Sequence, residues 1–237
     1  MIPNSPTNRK RLLKTNNLSI MKKFAVILCG CGTLDGSEIH ESVMTLLAID
    51  RNGGEYQIFA PNDWQYHVVN HVTGQPMDEK RNMLLEAARI ARGNVKPIEQ
   101  CRVEDFDAVV FPGGNGSAKN LFTYALEGAS CTVREDVAEV IRAFHKAGKP
   151  VGALCIAPVI IAKVLGDVTI TVGSDQGTIR NVESFGTKHE ITVQKEVCSD
   201  VANKVFTTPC YMLPARIGDI ADCADNLIKA MMAAIGC

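Results

Sequence analysis

The sequence predicts an α/β protein with a mainly parallel sheet covered by helices on both faces. Two observations carry that prediction. Short apolar runs alternate with amphipathic segments of helical period from residue 23 onward, the pattern of β-α-β units. Several of those runs are apolar at successive positions rather than at every second one, as expected of strands buried on both faces.

Taken in order, Phe24–Cys29 is the first strand, ending at Gly30. Ser37 is placed to cap a helix running to about Arg51, with Ile39, Val43, Leu46 and Leu47 on its inner face, and Gly53-Gly54 stop it. Tyr56–Ala60 is a second strand, halted by Pro61. A helix is expected over Asp78–Arg92, and a third strand, Ala108–Phe111, runs into Pro112-Gly113-Gly114-Asn115-Gly116. Arg134–Ala147 is a helix with Val137, Val140, Ile141 and Phe144 inward and Gly148 as its stop. Pro150–Leu154 is a strand and Ala157–Leu165 a short helix. The stretch from Val168 to Thr207 reads as strand-rich, with turns at Gly173, Gly177 and Gly186. A last helix covers Ala215–Ile235, with Ile217, Ile220, Ala221, Ala224, Leu227, Ile228 and Met231 buried. No repeat or linker interrupts residues 21–237, which are expected to form one domain.

Composition narrows the function. Of 237 residues, 46% are hydrophobic and 22% charged, which sets the chain apart from disordered and fibrous sequences. A formal charge of −1 argues against a general nucleic-acid binder and against electrostatic membrane binding. No apolar run approaches the ~20 residues of a membrane span. Nine cysteines are many, but they are odd in number and not arranged as the framework of a small secreted scaffold, so reduced thiols in a cytoplasmic protein are expected. The charge is uneven. No acid precedes Asp35, and without the four basic residues of segment 1–20 the formal charge becomes −5. That segment lacks the apolar core of a secretory signal; it reads as a disordered basic extension, with a mitochondrial targeting segment as the alternative.

In an open parallel sheet, chemistry gathers beyond the carboxyl ends of the strands. Three strand ends here carry unusual residues. Cys29-Gly30-Cys31-Gly32 leads through Asp35-Gly36-Ser37 to Glu38, which either complements the dipole of the following helix or serves a site. Gly113-Gly114 can turn backbone amides toward a ligand, as an oxyanion hole or anion nest, or form a plain turn. The loop lacks a Walker ending, and no dinucleotide fingerprint occurs. Cys155 stands between a strand and a helix with Ala153 and Ala157 two positions to either side, the logic of a nucleophile elbow. A helix N-terminus also favours a thiolate. A buried core cysteine is the alternative reading.

Together, Gly30-Cys31-Gly32, Asp35 to Glu41, Asn70-His71-x-Thr73-Gly74, Arg81-Asn82, Pro112-Gly113-Gly114, Ala118-Lys119-Asn120, Gly148-Lys149-Pro150, Cys155 to Pro158 and Thr207-Thr208-Pro209-x-Tyr211-Met212 carry a resemblance. The chain resembles the class I glutamine amidotransferase-like (PfpI) superfamily, and within it the ElbB-type glyoxalases, also called isoprenoid biosynthesis proteins with amidotransferase-like domain. The resemblance covers about Met21 to Ile235. It implies a flavodoxin-like three-layer sandwich, Cys155 as nucleophile, Glu38 beside the sulfur as proton shuttle, and an oxyanion site at the amides of Gly113, Gly114 and Ile156. It also implies a homodimer. The implied reaction is a glyoxalase that needs no cofactor or metal: a small dicarbonyl, glyoxal or methylglyoxal, becomes the 2-hydroxy acid through a hemithioacetal on Cys155. Cys31, Asn115 and Cys210 are expected to line the pocket. A redox-sensing stress protein or chaperone acting through oxidation of Cys155, and an amidotransferase-like subunit, are the alternatives.

The sequence departs from the amidotransferase pattern in one respect. The region after the nucleophile, Ile170–Asp175, carries no histidine, and His189 is the only one beyond Cys155. A solvent-facing or structural role is expected for His189, and for His40 a supporting position behind the site or on the surface, because helical spacing turns it away from Glu38. His67 and His71 are four apart but lack a completing carboxylate, so no metal is expected. Cys101, Cys131, Cys198, Cys223 and Cys237 have no motif around them.

Overall fold

The computed structural model describes residues 21–236; the expected basic extension, residues 1–20, and Cys237 lie outside them. In chain order the elements are β1 (Lys23–Ile27), α1 (Ile39–Arg51), β2 (Glu55–Ala60), β3 (Val68–Asn70), β4 (Gln75–Met77), α2 (Met83–Ile90), β5 (Val95–Pro97) and β6 (Ala108–Phe111). They continue with α3 (Ser117–Asn120), α4 (Tyr124–Glu127), α5 (Glu135–Lys146), β7 (Val151–Leu154), α6 (Pro158–Leu165), β8 (Thr169–Ile170), α7 (Gln176–Glu183), β9 (Lys188–His189), β10 (Cys198–Asp200), β11 (Val205–Thr208) and α8 (Ile217–Ala234).

A seven-stranded sheet in the order β10-β11-β7-β6-β1-β2-β5 forms the centre, parallel throughout except for β10 at its edge. Side-chain alternation along the strands feeds two cores. Ala25, Ile27, Val109, Phe111, Val151 and Ala153 point to the face covered by α5, α6 and α7. Phe24, Val26, Leu28, Ala108, Val110 and Phe206 point to the face covered by α1, α2 and α8. This is the α/β sandwich, with a mostly parallel sheet and helices on both sides, that the alternating pattern predicts. Among the described residues no helix is long and apolar enough to cross a membrane.

Several elements differ from expectation for identifiable reasons. The helix expected over 78–92 is shorter, because Gln75–Met77 pairs antiparallel with β3 and Asn82 caps α2 by accepting the Leu85 N–H. The stretch after residue 168 contains a helix, α7, started by the Asp175 side chain on the Thr178 N–H; Gly177 lies inside it and is not a turn. The largest difference is in α1. Ser37 is not its cap: its hydroxyl accepts the Cys29 N–H and ties the loop back to the end of β1. Glu38 is the cap, and the helix is rotated so that Glu41, Ser42, Thr45, Leu46, Ala48 and Ile49 are buried while Ile39 and Val43 are exposed.

Parallel pairing brings the carboxyl ends of β1, β6, β7 and β11 to one edge, in register through Val26↔Val110, Phe111↔Ala153 and Leu154↔Thr208. The loops leaving those ends touch directly. A Cβ on Gly116 would sit 1.9 Å from the Gly36 nitrogen, so only glycine lets the β6 loop lie against the β1 loop. The neighbouring atoms are backbone and cannot rotate away. Gly116→Ala is therefore expected to lower stability by about 3 kcal/mol, the upper range for overpacking. Urea denaturation reads this as a fall in midpoint, and a midpoint equal to the wild type contradicts the close approach.

Candidate active site

Cys155 sits at the turn between β7 and α6 with φ of +61°, a left-handed conformation that a residue with a side chain adopts only under constraint. The constraint is visible. Its N–H donates to the Thr208 carbonyl at 3.0 Å, fastening the end of β7 to β11. Ala153 and Ala157, two positions to either side, are fully buried. The turn lifts the sulfur to the rim of the sheet, where it lines a cavity of about 530 Å³ with Thr33, Glu38, His40, Gly114, Asn115, Ile156, Tyr211 and Met212.

The carboxyl group beside the sulfur belongs to Glu41, not to Glu38. The Glu41 carboxyl and the Cys155 thiol are buried against each other, close enough that a Cβ on Gly113 would meet both residues. Glu41 is fully buried; the Gly113 N–H donates to its Oε2 at 2.9 Å, and the Tyr211 N–H lies 3.4 Å from its Oε1. Glu38 is held differently. Its Oε2 accepts the Glu41 N–H at 2.6 Å, so this carboxylate caps α1 and orients the residue that reaches the thiol. Its Oε1 faces the cavity, 4.0 Å from His40 Nδ1.

Charge in this contact is tightly limited. Burial, followed by the nearby charge of Glu38, pushes the Glu41 carboxyl up to about 8. Burial likewise pushes the Cys155 thiol up, and an ionised Glu41 pushes it further; the N–H groups of Gly114 and Ile156, aimed at the sulfur, pull it back. Two negative charges in one buried contact would repel strongly, so the pair behaves as one titrating unit holding at most a single negative charge near neutral pH. With its proton on, Glu41 can donate to the thiolate. Once that proton is given away, it is a base beside whatever is bonded to sulfur.

The remaining expected residues divide. Gly114, Ile156 and Asn115 line the cavity. Gly113 does not: its N–H serves Glu41, and a Cβ there would stand 2.6 Å from Cys155 Cβ and 2.9 Å from Glu41 Oε2. Cys31 is outside the cavity, half-buried near Glu86 and Arg89. Cys210 is buried behind the wall, its thiol against that of Cys223. Cys29 belongs to the core, and burial pushes its thiol up to about 12. His189 is structural, its Nε2 accepting the Val172 N–H at 3.1 Å. His71 Nε2 accepts the Leu34 N–H, and Asp35 accepts the Val69 N–H; both hold the β1 loop in place. Among the described residues no cluster of His, Cys, Asp or Glu could hold a metal ion.

Sequence reasoning missed Glu41 and misplaced His40. Glu38 is extended, with φ −65° and ψ 124°, and stands outside the helix, so helical spacing does not separate it from His40, and both line the cavity. A usable signal was present: Glu41, Ser42 and Thr45 continue, in helical period, the apolar stripe of Leu46 and Ile49.

Stability should record the buried proton. Glu41 has an ordinary value of 4.5 and about 8 in the fold, so the folded state binds the extra proton between those pH values. Its stabilising contribution is complete below pH 4.5 and is lost as pH rises toward 8. From pH 5.5 to 7.5 the wild type should lose about 3 kcal/mol relative to Glu41→Gln, at 1.36 kcal/mol per unit. Urea midpoints at both pH values measure this; parallel pH profiles for the two proteins contradict it.

The DJ-1/PfpI family model matches residues 33–200. A human protein named glutamine amidotransferase-like class 1 domain-containing protein 3, mitochondrial, is 42% identical over 224 residues, covering 90% of this chain and 84% of the relative. The solved structure of an isoprenoid biosynthesis protein with amidotransferase-like domain from Ehrlichia chaffeensis is 36% identical, with a TM-score of 0.83 over 89% of this chain and 99% of that one. Glyoxalase III from Candida albicans, 16% identical with a TM-score of 0.60 over 92% of this chain and 98% of that one, shares the fold. The chain belongs to the DJ-1/PfpI family.

Proposed function

We propose that the protein is a cofactor-independent glyoxalase acting on small dicarbonyls through Cys155, with Glu41 in the proton-shuttling role that the family resemblance implies for Glu38. The observation that carries this reading is the contact of the buried Glu41 carboxyl with the Cys155 thiol, beneath a cavity whose wall supplies two N–H groups at the sulfur.

The steps follow from that arrangement. The Cys155 thiolate adds to one aldehyde carbon of glyoxal, and the new alkoxide is met by the N–H groups of Gly114 and Ile156. Proton delivery to that oxygen completes the hemithioacetal and leaves Glu41 as a carboxylate. Glu41 then takes the proton from the carbon bonded to sulfur, and an enediolate forms across the two carbons. Glu41 returns that proton to the neighbouring carbon while the hydroxyl proton passes from the oxygen on the sulfur-bearing carbon to the neighbouring oxygen, leaving a 2-hydroxy thioester on Cys155. Water cleaves the carbon–sulfur bond, releasing glycolate and the thiol. Glyoxal plus water thus becomes the hydroxy acid, with no net oxidation.

Location belongs to the same reading. The printed name of the human relative includes "mitochondrial", and segment 1–20 here is basic and free of acids. We place the protein in mitochondria, in preference to the cytoplasm.

Turnover of glyoxal should vanish in Cys155→Ala and fall about 10²-fold or more in Glu41→Gln, the scale of a lost proton-transfer group. Glu38→Gln should fall less, since an amide oxygen still caps α1. Glycolate release measures all three. Undiminished activity in Cys155→Ala, or a greater loss in Glu38→Gln than in Glu41→Gln, sinks the assignment.

A further inference from the structure

A thioester on Cys155 must be cleaved by water, and Glu41 is poorly placed to activate that water. It is fully buried beneath the sulfur, with its two oxygens directed to the N–H groups of Gly113 and Tyr211 and its carboxyl in contact with the thiol. A base for hydrolysis has to stand on the open side of the cavity, where water arrives.

His40 stands there. It lines the cavity with Cys155, and its side chain is 48% exposed. Its Nδ1 lies 2.8 Å from Tyr211 Oη and 4.0 Å from Glu38 Oε1. A carboxylate on that side favours the proton on Nδ1, which then donates to the tyrosine oxygen; Nε2 is left with its lone pair free. Orientation of the ring through Nδ1, here by the Tyr211 hydroxyl with the Glu38 carboxyl 4.0 Å away, resembles the logic of a nucleophile–histidine–acid triad. Here the histidine and the acid come from the start of α1, not from the strand end after the nucleophile.

The geometry points to His40 as the catalytic base that activates water for cleavage of acyl-Cys155, with Glu38 and Tyr211 as its positioning residues. In that step Nε2 takes one proton from water and the oxygen bonds to the acyl carbon. The carbon–sulfur bond breaks, and the proton held by His40 goes to the sulfur. The inference rests on the proposed acyl-enzyme, but an acyl group delivered by another route tests it separately.

p-Nitrophenyl acetate supplies that route. In rapid mixing, the initial burst of p-nitrophenol reports acetylation of Cys155, and the steady state reports its hydrolysis. His40→Ala should keep the burst, accumulate acetyl-Cys155 visible by intact mass, and slow the steady state about 10²-fold. Added imidazole should restore much of that loss. Tyr211→Phe should give a smaller, several-fold slowing with the burst intact. Clearance of acetyl-Cys155 in His40→Ala at the wild-type rate overturns the inference. Failure of imidazole to rescue does so too, as does absence of Cys155 acetylation in the wild type. If the wild type clears acetate through His40 but does not turn over glyoxal, the glyoxalase reading fails and this inference stands.

Discussion

The contact between the Glu41 carboxyl and the Cys155 thiol is the constraint around which the rest of the site is built. Both groups are buried and both can ionise, so the surroundings must accommodate one negative charge while excluding two. That requirement explains otherwise costly local choices. Cys155 is held at positive φ by the Thr208 carbonyl. Position 113 has no side chain, because a Cβ would collide with both partners. The inner face of α1 carries Glu41 in its first turn, giving up apolar burial there for the sake of the carboxyl group.

The sheet makes the contact possible. Parallel register sets four strand ends side by side, so the loops after β1, β6, β7 and β11 meet over a short distance. Each contributes something different: a helix bearing carboxyl groups, N–H groups, the Cys155 thiol, and the Tyr211–Met212 wall. The resulting division is vertical. Glu41 lies buried beneath the sulfur, while Glu38, His40 and Tyr211 face the open cavity. One helix start supplies both levels because Glu38 is extended and Glu41 lies a turn further on.

Much of this was legible from sequence. The strand–helix alternation gave the architecture, since doubly buried strands leave continuous apolar runs such as Val109–Phe111. The elbow at Cys155 was legible from its alanine neighbours, and the Gly114 loop from its glycines. Glu41 was hidden because hydrophobic periodicity assigns a helix face by greasiness. Ile39 and Val43 then outweigh Glu41 and Thr45, although the former pair is exposed. Tertiary demand for a buried acid overrode that pattern. The helix starts one residue later than a Ser37 cap predicts; with Ser37 as cap, Glu38 would enter the first turn and His40 would turn away. Tyr211 stood within a quoted motif, but its partnership with His40 joins residues 171 positions apart, which no local spacing can reveal.

The most direct test of the account is the protonation state of Glu41, read by infrared difference spectroscopy between wild type and Glu41→Gln across a pH series. The account predicts a protonated carboxyl stretch at pH 6.5 that disappears as pH rises through about 8, and that is altered when Cys155 is alkylated. A carboxylate signal for Glu41 already present at pH 6, or a carboxyl band indifferent to modification of Cys155, would contradict it.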